Sequence, residues 1–450
     1  MENSHLDLLL RNATYVVPQS ATSSELTEQT LEVGVRQGKI VEIATKISTP
    51  AQRTLDLKGL HVLPGLIDTQ VHFREPGLTH KEDLESGSRS ALFGGLTGFF
   101  EMPNTKPPTT SREALQQKFD LARGRCHVNY AFYGGSVGED FGELARQEDH
   151  PNCPGIKIFM GTSTGGYLVD KDEILDLILQ KTRRRLVVHC EDEPTLQERR
   201  HLIDKDPHPR THPIWRNEQS ALRATQRIVA LARKHNHPLH ILHITTAEEV
   251  EFLRTQSDLV TFEVLPQHLT LVAPECYERL GSLAQMNPPI RDRRHQDMLW
   301  KAVQEGWVRI MGSDHAPHTL EEKARPYPQC PSGLPGVQTM VPLMLNHVHN
   351  GKLKLTRLVQ LLSENPSRLF GVKNKGRIQI GYDADFSIVD LKKVRTVEHK
   401  WIQSKCGYSP FEGLSLVGWP HSVILKGEVV FQEDQILKPA QGQPLEFVKT

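Results

Sequence analysis

The sequence lacks a long hydrophobic run and an excess of charge of either sign. Its apolar clusters, such as residues 8–10 and 341–345, are far shorter than the roughly 20 residues that a membrane-spanning helix needs. Lys and Arg number 54, and Asp and Glu also number 54, so the formal net charge is zero with histidine taken as neutral. The composition therefore argues against a membrane-spanning protein and against a general binder of nucleic acid or other polyanions.

Cysteine is also scarce, with six spread over 450 residues and no Cys-x-x-Cys pair. This spacing excludes a dense disulfide framework and fits reduced thiols. No basic segment followed by an apolar one opens the chain, so we expect no secretion signal and a cytoplasmic protein. No Gly-x-Gly-x-x-Gly turn follows an early strand-like segment, which disfavours a doubly wound dinucleotide-binding fold.

The sequence does contain a long alternation of strand-like and helical segments between two β-rich ends. Eight strand-like segments occupy residues 61–72, 95–104, 127–135, 155–161, 185–191, 238–245, 259–268 and 307–315. Most of the gaps between them carry helical patterns. Eight such units over about 300 residues are typical of a (β/α)₈ barrel.

The predicted fold is therefore α/β: a (β/α)₈ TIM-type barrel with a small β-sandwich domain built from both chain ends. We expect residues 61–374 to form the barrel and residues 1–60 and 375–450 to share the β-domain, because chain ends often lie close together. Capping-box spacing marks three predicted helix starts, at Thr110 with Glu113, Asp170 with Glu173 and Thr246 with Glu249.

Polar side chains fall at or near the ends of five strand-like segments. They are His72, Lys157, His189, His243 and Asp314. Any one of them could be structural, but the active site of a TIM-type barrel lies at the C-terminal strand ends, so five at equivalent positions favour a site. Neutral imidazoles and a carboxylate suit Zn²⁺ and related divalent ions. Such an ion would supply hydroxide at neutral pH, and Asp314 would move the proton.

Lys157 is the unusual member of this set because a free ammonium group repels a cation. As a metal ligand it must be neutral or modified. A carbamylated lysine would carry two oxygens and a negative charge, and could bridge two metals. A buried lysine paired with Asp or Glu is the alternative.

Five segments carry a family resemblance. They are residues 64–77 (PGLIDTQVHFREPG), 101–105 (EMPNT), 155–161 (GIKIFMG), 286–289 (MNPP) and 312–318 (GSDHAPH). Together they resemble the motifs of dihydroorotases, in the cyclic amidohydrolase branch of the amidohydrolase superfamily. Residues 375–386 resemble the strand by which that family returns to its β-domain, so the resemblance covers about residues 1–435.

The resemblance implies a metal-dependent barrel that interconverts L-dihydroorotate and N-carbamoyl-L-aspartate in de novo pyrimidine biosynthesis. It implies one or two Zn²⁺ ions, or another divalent metal, held by His72, carbamylated Lys157, His189, His243 and Asp314. Asp314 would also be the general acid and base. The substrate would be held by Arg74, Asn104, Asn287 and His318, with backbone near Gly333. A homodimer is expected, and association with aspartate transcarbamoylase is possible.

The position of Arg74 supports a substrate with a carboxylate. Arg74 lies two residues beyond His72, so the two side chains can share a face at the strand end, and a guanidinium can bind a carboxylate with two hydrogen bonds. Dihydroorotate is a cyclic amide with such a carboxylate. The alternative is a salt bridge at the barrel rim from Arg74 to Glu75 or Asp83.

One residue departs from the family pattern. The first strand of the family ends Asp-x-His-x-His, and here Gln70 replaces the first of these histidines. An amide oxygen is a poorer ligand for Zn²⁺ than imidazole, so Gln70 is a doubtful ligand. Three outcomes are open: a binuclear site with weaker ligands, one metal held by Lys157, His189 and His243, or no metal and no catalysis. Because the other expected groups remain, we favour activity with an altered metal site.

Two rival functions remain at this stage. One is a non-catalytic dihydroorotase-like subunit that stabilises aspartate transcarbamoylase, and the other is a dihydropyrimidinase or hydantoinase. Three further segments are predicted to be loops. We interpret His201, His208 and His212 as a surface loop, residues 161–166 as a flexible rim of the site, and residues 326–337 as a lid or wall after the eighth strand.

Overall fold

The computed structural model describes residues 5–20, 23–162, 167–256 and 259–449. Most of the predicted rim at 161–166 lies outside these residues. The N-terminal part forms five strands: β1 (Leu6–Pro18), β2 (Leu26–Arg36), β3 (Lys39–Ala44), β4 (Ala51–Asp56) and β5 (His61–Pro64). Strands β2 and β3 pair as an antiparallel hairpin whose turn holds Gln37 and Gly38 at positive φ. Glycine and a flanking polar residue favour that turn because it needs left-handed backbone.

The middle of the chain is the predicted barrel. Its strands are β6 (Ile67–Val71), β7 (Gly98–Glu101), β8 (Asn129–Phe132), β9 (Gly134–Gly135), β10 (Ile156–Phe159), β11 (Leu186–His189), β12 (Leu239–Ile241), β13 (Val260–Val264) and β14 (Ile310–Met311). The strands from β6 to β8 and from β9 to β14 pair in parallel with their neighbours, and each strand lies within one of the eight predicted segments. Strands β8 and β9 are successive parts of the third segment, 127–135. The amide of His72 donates to the carbonyl of His315 at 2.7 Å, which joins the first strand to the last and closes the ring. The barrel prediction is confirmed.

Helices fill the connections between the strands. They are α1 (Leu84–Phe93), α2 (Arg112–Ala122), α3 (Phe141–Glu148), α4 (Asp172–Lys181), α5 (Glu193–Arg199), α6 (His201–Lys205), α7 (His212–Trp215), α8 (Glu218–Lys234), α9 (Ala247–Leu253), α10 (Pro266–Thr270), α11 (Glu275–Leu280), α12 (Arg293–Gln304), α13 (Leu320–Lys323), α14 (Met340–His349), α15 (Leu355–Val359) and α16 (Asn365–Phe370). None of the described helices is long and apolar enough to cross a lipid bilayer. The core lies between the barrel strands and these helices, where apolar side chains from both are buried together.

Four strands complete the fold: β15 (Phe386–Thr396), β16 (Ser415–Leu425), β17 (Glu428–Gln432) and β18 (Gln435–Ile436). Together with the five N-terminal strands they form one nine-stranded mixed sheet, in which β5 lies between β1 and β15. Apolar residues from both ends of the strand order, such as Val33 and Val429, share one buried cluster. The sheet therefore folds over its own core, and both chain ends build it, as predicted. The domain boundaries at residues 60 and 375 stay a prediction. Strand β5 belongs to the terminal sheet, although it lies within the range 61–374 predicted for the barrel.

Two segments connect the terminal sheet to the barrel. Residues 397–414, between β15 and β16, reach the C-terminal ends of the barrel strands, where Ser404 Oγ donates to Glu82 and Tyr408 lies beside Gly333. At the opposite end of the strands the last residues return to the barrel, and the amide of Leu445 donates to the carbonyl of Tyr130 at 2.8 Å.

Candidate active site

One cavity at the C-terminal ends of the barrel strands gathers all the predicted site residues except His318. Its lining consists of Gln70, His72, Arg74, Asn104, Lys157, Phe159, His189, His243, Asn287, Asp314, Ala316, Ser332 and Gly333. Arg74, His243 and Asp314 have φ values of 66°, 40° and 43°, which side chains other than glycine rarely adopt. Backbone of this kind persists where the surrounding structure imposes it, and it is concentrated at functional sites.

The first group of polar side chains in the cavity comprises Gln70, His72 and Asp314. The Gln70 amide donates from Nε2 to Asp314 Oδ1 at 3.1 Å, and His72 Nε2 lies 3.1 Å from the same oxygen. His72 Nδ1 is 2.7 Å from the amide oxygen of Asn104, which can only accept, so Nδ1 carries the proton. Burial lowers the pKa of His72 and favours the neutral ring. The lone pair of Nε2 therefore faces the carboxylate oxygen of Asp314.

The second group comprises Lys157, His189 and His243. His189 Nδ1 lies 3.0 Å from His243 Nε2. Lys157 Nζ and His243 Nδ1 are buried and have no hydrogen-bond partner in the described part of the chain. Burial lowers the pKa of Lys157 to about 7, so its neutral amine is well populated at physiological pH. The alternative was that Lys157 pairs with an Asp or Glu. Among the described residues, no carboxylate lies within ion-pair distance of its Nζ.

The donor chemistry of this second group fits a divalent cation if Lys157 takes part. Among the described residues, no cluster of three His, Cys, Asp or Glu side chains is placed to hold a metal. Two nitrogens bound to one tetrahedral Zn²⁺ lie about 3.3 Å apart, close to the 3.0 Å between His189 and His243. The unpartnered Lys157 amine is the only remaining ligand of this group, and a neutral amine is also the form that adds CO₂ to become a carbamate.

Arg74 has no partner of opposite charge in the described residues. The guanidinium is buried, donates from Nε to the carbonyl of Pro317 at 3.2 Å, and is absent from the ion pairs. The two carboxylates that could have formed a rim salt bridge are engaged elsewhere, Glu75 by Arg125 and Asp83 by Lys405. Burial lowers the pKa of Arg74 to about 10, so the group stays charged at neutral pH. A buried cation at the cavity is therefore available for an anionic group.

His318 and Gly333 form the wall behind Arg74. Both ring nitrogens of His318 are occupied, since Nδ1 accepts from Lys81 Nζ at 3.0 Å and Nε2 donates to the Ser332 carbonyl at 3.1 Å. Its role as a direct substrate ligand stays a prediction. Gly333 has a φ of 144°, and a Cβ there would collide with the carbonyl of Ala316, so only glycine fits. Its amide donates to the Gln285 carbonyl at 2.9 Å.

The sequence did not reveal two neighbours of the site. His212, interpreted as a surface loop residue, is buried, and its Nε2 lies 2.9 Å from Oδ1 of Asn287. The carbonyl of Met286 lies 3.1 Å from the same nitrogen and can only accept, so Nε2 carries the proton, Nδ1 accepts from Tyr327 Oη at 3.2 Å, and the NH₂ of Asn287 is left for the cavity. The other neighbour is Glu191, whose Oε2 lies 2.9 Å from His189 Nε2. Its spacing of two residues from His189 was the available signal.

The fold and the site together are those of a barrel hydrolase. The chain forms a parallel barrel joined to a sheet from both chain ends, and imidazole, amine and carboxylate groups lie at the ends of the barrel strands. Residues 61–430 match the amidohydrolase family, and the chain belongs to that family. It is similar to the dihydroorotases of Pyrococcus abyssi (37% identical, covering 91% of this chain and 93% of the relative) and Methanosarcina mazei (35%, covering 93% and 94%).

The fold is similar to that of the L-hydantoinase (dihydropyrimidinase) of Arthrobacter aurescens, with a TM-score of 0.92 and 30% identity over 98% of this chain and 100% of that one. The dihydropyrimidinase of Brevibacillus agri gives a TM-score of 0.89 at 25% identity, over 98% and 99%. These likenesses confirm the predicted resemblance and the predicted fold. The chain is a cyclic amide hydrolase by family.

Proposed function

We propose that this chain is a dihydroorotase that reversibly hydrolyses the cyclic amide of L-dihydroorotate to N-carbamoyl-L-aspartate. The observation that carries the proposal is Arg74, a buried guanidinium at the cavity without a carboxylate partner in the described residues. Leaving such a charge unpaired is costly, whereas a substrate carboxylate would satisfy it with charge-assisted hydrogen bonds. Asn104 lines the same cavity as Arg74, and its amide oxygen is bound to His72.

We assign a tightly held divalent cation, such as Zn²⁺, to Lys157, His189 and His243. When bound there, the cation lowers the pKa of a water molecule and so supplies the nucleophile. His72 and Asp314 face a second position, but Gln70 donates a hydrogen bond to Asp314 instead of offering an imidazole, so we propose that this position binds metal weakly. Carbamylation of Lys157 is part of the proposal, and its buried amine is in keeping with it.

The residues of the chain supply binding and proton transfer. Arg74 and Asn104 hold the substrate carboxylate, and Asn287 donates to a ring oxygen through the NH₂ that His212 leaves free. Asp314 accepts a proton from the attacking water as its oxygen adds to the ring carbonyl carbon. Asp314 then gives that proton to the ring nitrogen as the C–N bond breaks. The hydrogen bond from Gln70 orients the carboxylate for both steps.

The function is tested by comparing hydrolysis of L-dihydroorotate, dihydrouracil and hydantoin by the wild type and by Arg74→Met. We expect the variant to lose on the order of 10²-fold or more in kcat/KM for dihydroorotate, because a desolvated charge pair is removed. Activity toward the two uncharged rings should not fall in parallel. Arg74→Lys is the matched control and should retain part of the activity, since it keeps the charge but not the two-pronged geometry.

The second candidate is hydantoinase or dihydropyrimidinase activity, favoured by the likeness to the A. aurescens enzyme. An uncharged ring leaves Arg74 unpaired, so we rank it below dihydroorotase. Greater wild-type turnover of hydantoin or dihydrouracil than of dihydroorotate would reverse the ranking. Absence of all turnover with added Zn²⁺ and bicarbonate, together with co-purifying aspartate transcarbamoylase, would favour the non-catalytic subunit. The homodimer and the cytoplasmic location stay predictions.

Metal analysis tests the cation assignment directly. We expect protein purified without chelators and dialysed at neutral pH to hold close to one metal ion per chain, and a mass increase at Lys157 equal to one CO₂. Two tightly held ions per chain would contradict the weak second position. No metal in active protein would contradict the assignment itself.

A further inference from the structure

Glu191 and Arg216 form a buried pair beside the proposed metal ligands. Arg216 Nε donates to Oε1 and Oε2 of Glu191 at 3.0 and 3.2 Å, and Arg216 Nη2 donates to Oε2 at 2.7 Å. The side chain of Glu191 is 0% exposed and that of Arg216 3%. A carboxylate bound by a guanidinium in this way is ionised and can only accept hydrogen bonds.

This acceptor determines which nitrogen of His189 carries the proton. His189 Nε2 lies 2.9 Å from Oε2 of Glu191 and must donate to it. A neutral imidazole has one N–H, so the lone pair is on Nδ1, which faces His243 Nε2 at 3.0 Å. In the other tautomer, Nδ1–H would point at the cavity and two lone pairs would meet at Glu191.

We propose that Glu191 and Arg216 are positioning residues that hold His189 in its Nε2–H tautomer and thereby set the metal affinity of the group formed by Lys157, His189 and His243. The inference rests on the proposed metal site and extends it to two residues that touch neither metal nor substrate. A hydrogen bond from the second nitrogen of a ligating histidine to a carboxylate orients the ring and raises its basicity. With Gln70 weakening the other position, this group carries the binding.

The pair is itself held from three strand ends. Arg216 Nη2 donates to the carbonyl of Thr162, beyond β10, at 2.7 Å. The carbonyl of Arg216 accepts from Arg291 Nη1 at 2.9 Å, and Arg291 Nε donates to Thr245 Oγ1, beyond β12, at 2.9 Å. The loops after β10, β11 and β12 are thus tied to Arg216, the first two through its guanidinium and the third through its backbone carbonyl by way of Arg291. This arrangement leaves Glu191 little freedom to turn away from His189.

Zinc affinity, measured by competition with a chromophoric chelator, tests the proposal without any assay of activity. Glu191→Met removes the acceptor and Glu191→Gln keeps a neutral one, so we expect zinc affinity to fall by roughly 100-fold and 10-fold, respectively. The matched control is Glu148→Met, since Glu148 is a buried carboxylate that accepts from the amides of Arg183 and Arg184 away from the cavity. This control should lose stability but keep wild-type zinc affinity.

Nitrogen-15 NMR of histidine-labelled, metal-free wild-type protein reads the tautomer directly, with His189→Asn used to assign the signal. An Nε2–H resonance is expected. An Nδ1–H resonance, or zinc affinity within twofold of wild type in Glu191→Gln, would overturn the proposal, even if Glu191→Met fails to fold. Wild-type protein that binds zinc with the expected tautomer but does not hydrolyse dihydroorotate would overturn the proposed function and leave this inference intact.

Discussion

At the scale of single residues, hydrogen bonds set the protonation and the orientation of the groups in the site. The amide oxygen of Asn104 accepts a hydrogen bond from His72 Nδ1, and that of Asn287 accepts one from His212 Nε2. The imidazole of His72 thus presents a lone pair to the cavity, while the amide of Asn287 presents a donor. Gln70 is part of this pattern because its NH₂ is bound to Asp314. A residue that is a poor metal ligand still has a defined partner.

The substitution Gln70→His restores the Asp-x-His-x-His ending of the first strand. We expect the tightly bound metal to rise from about one ion per chain to about two, because a second imidazole would join His72 and Asp314. Metal analysis after dialysis measures this. Gln70→Leu is the control and should stay at one ion, and an unchanged count in the histidine variant would show that Gln70 does not limit the second position.

At the scale of elements, strand ends bring the ligands together and the loop after β14 forms the wall of the cavity. Helix α13 secures this loop through Lys323, which is buried and donates from Nζ to the carbonyls of Gln285, Pro331 and Gly333 at 3.2, 2.9 and 3.2 Å. The predicted lid or wall at 326–337 is thus tied down at its centre. The structure assigns the wall function to Ser332 and Gly333, which line the cavity.

Lys323→Met removes the shared donor of three carbonyls at this wall. A hydrogen bond contributes about 0.5–1.5 kcal/mol, so losing the donor shared by these carbonyls should loosen the wall, and we expect a KM for dihydroorotate raised roughly tenfold. The kcat should change much less, because the proton-transferring groups are on other elements. Steady-state kinetics separates the two. Glu321→Gln, on the exposed part of the same helix, should behave as wild type, and a fall in kcat alone would contradict the role of the loop.

At the scale of the whole molecule, many of the 22 histidines are buried rather than exposed. His150 illustrates the consequence: Nδ1 accepts from the amide of Asn152 at 3.2 Å, and Nε2 lies 3.2 Å from Gln116 Oε1, so the ring is neutral. Burial lowers the pKa of His150 to about 4, that of His212 to about 3 and that of His347 to about 4. The folded state therefore resists protonation at these positions.

This burial predicts acid-sensitive stability. The pKa of each of these histidines is lower in the folded chain than its ordinary 6.5, so the contribution is complete above pH 6.5 and is lost as pH falls toward 4. Each group adds a slope of at most about 1.4 kcal/mol per pH unit to the free energy of unfolding. Urea titrations between pH 4 and 8 measure it. His150→Gln should reduce the slope in this window, and an equal slope in wild type and variant would contradict the assignment.

The sequence by itself determined the barrel, the sheet from both chain ends and the positions of the polar strand ends. These follow from local patterns, since apolar runs, turns and strand-end motifs are read within a few residues. Local patterns placed helix starts less well: Thr246 caps α9 as predicted, but Ser111 rather than Thr110 caps α2, and Lys171 precedes α4 without a side-chain cap. Adjacent polar residues such as Thr110 and Ser111 can each cap a helix, so the sequence pattern leaves the first residue of the helix uncertain by one position.

Only the tertiary structure decided the partners of those polar groups. Arg125 pairs with Glu75, and Lys405 pairs with Asp83, although each pair is distant in sequence. These two pairs leave neither carboxylate for Arg74. The burial of His212 against Asn287 and the pairing of Glu191 with Arg216 likewise join separate loops. The physical reason is that hydrogen bonds and ion pairs act over a few ångströms in space, whereas a sequence pattern records only separation along the chain.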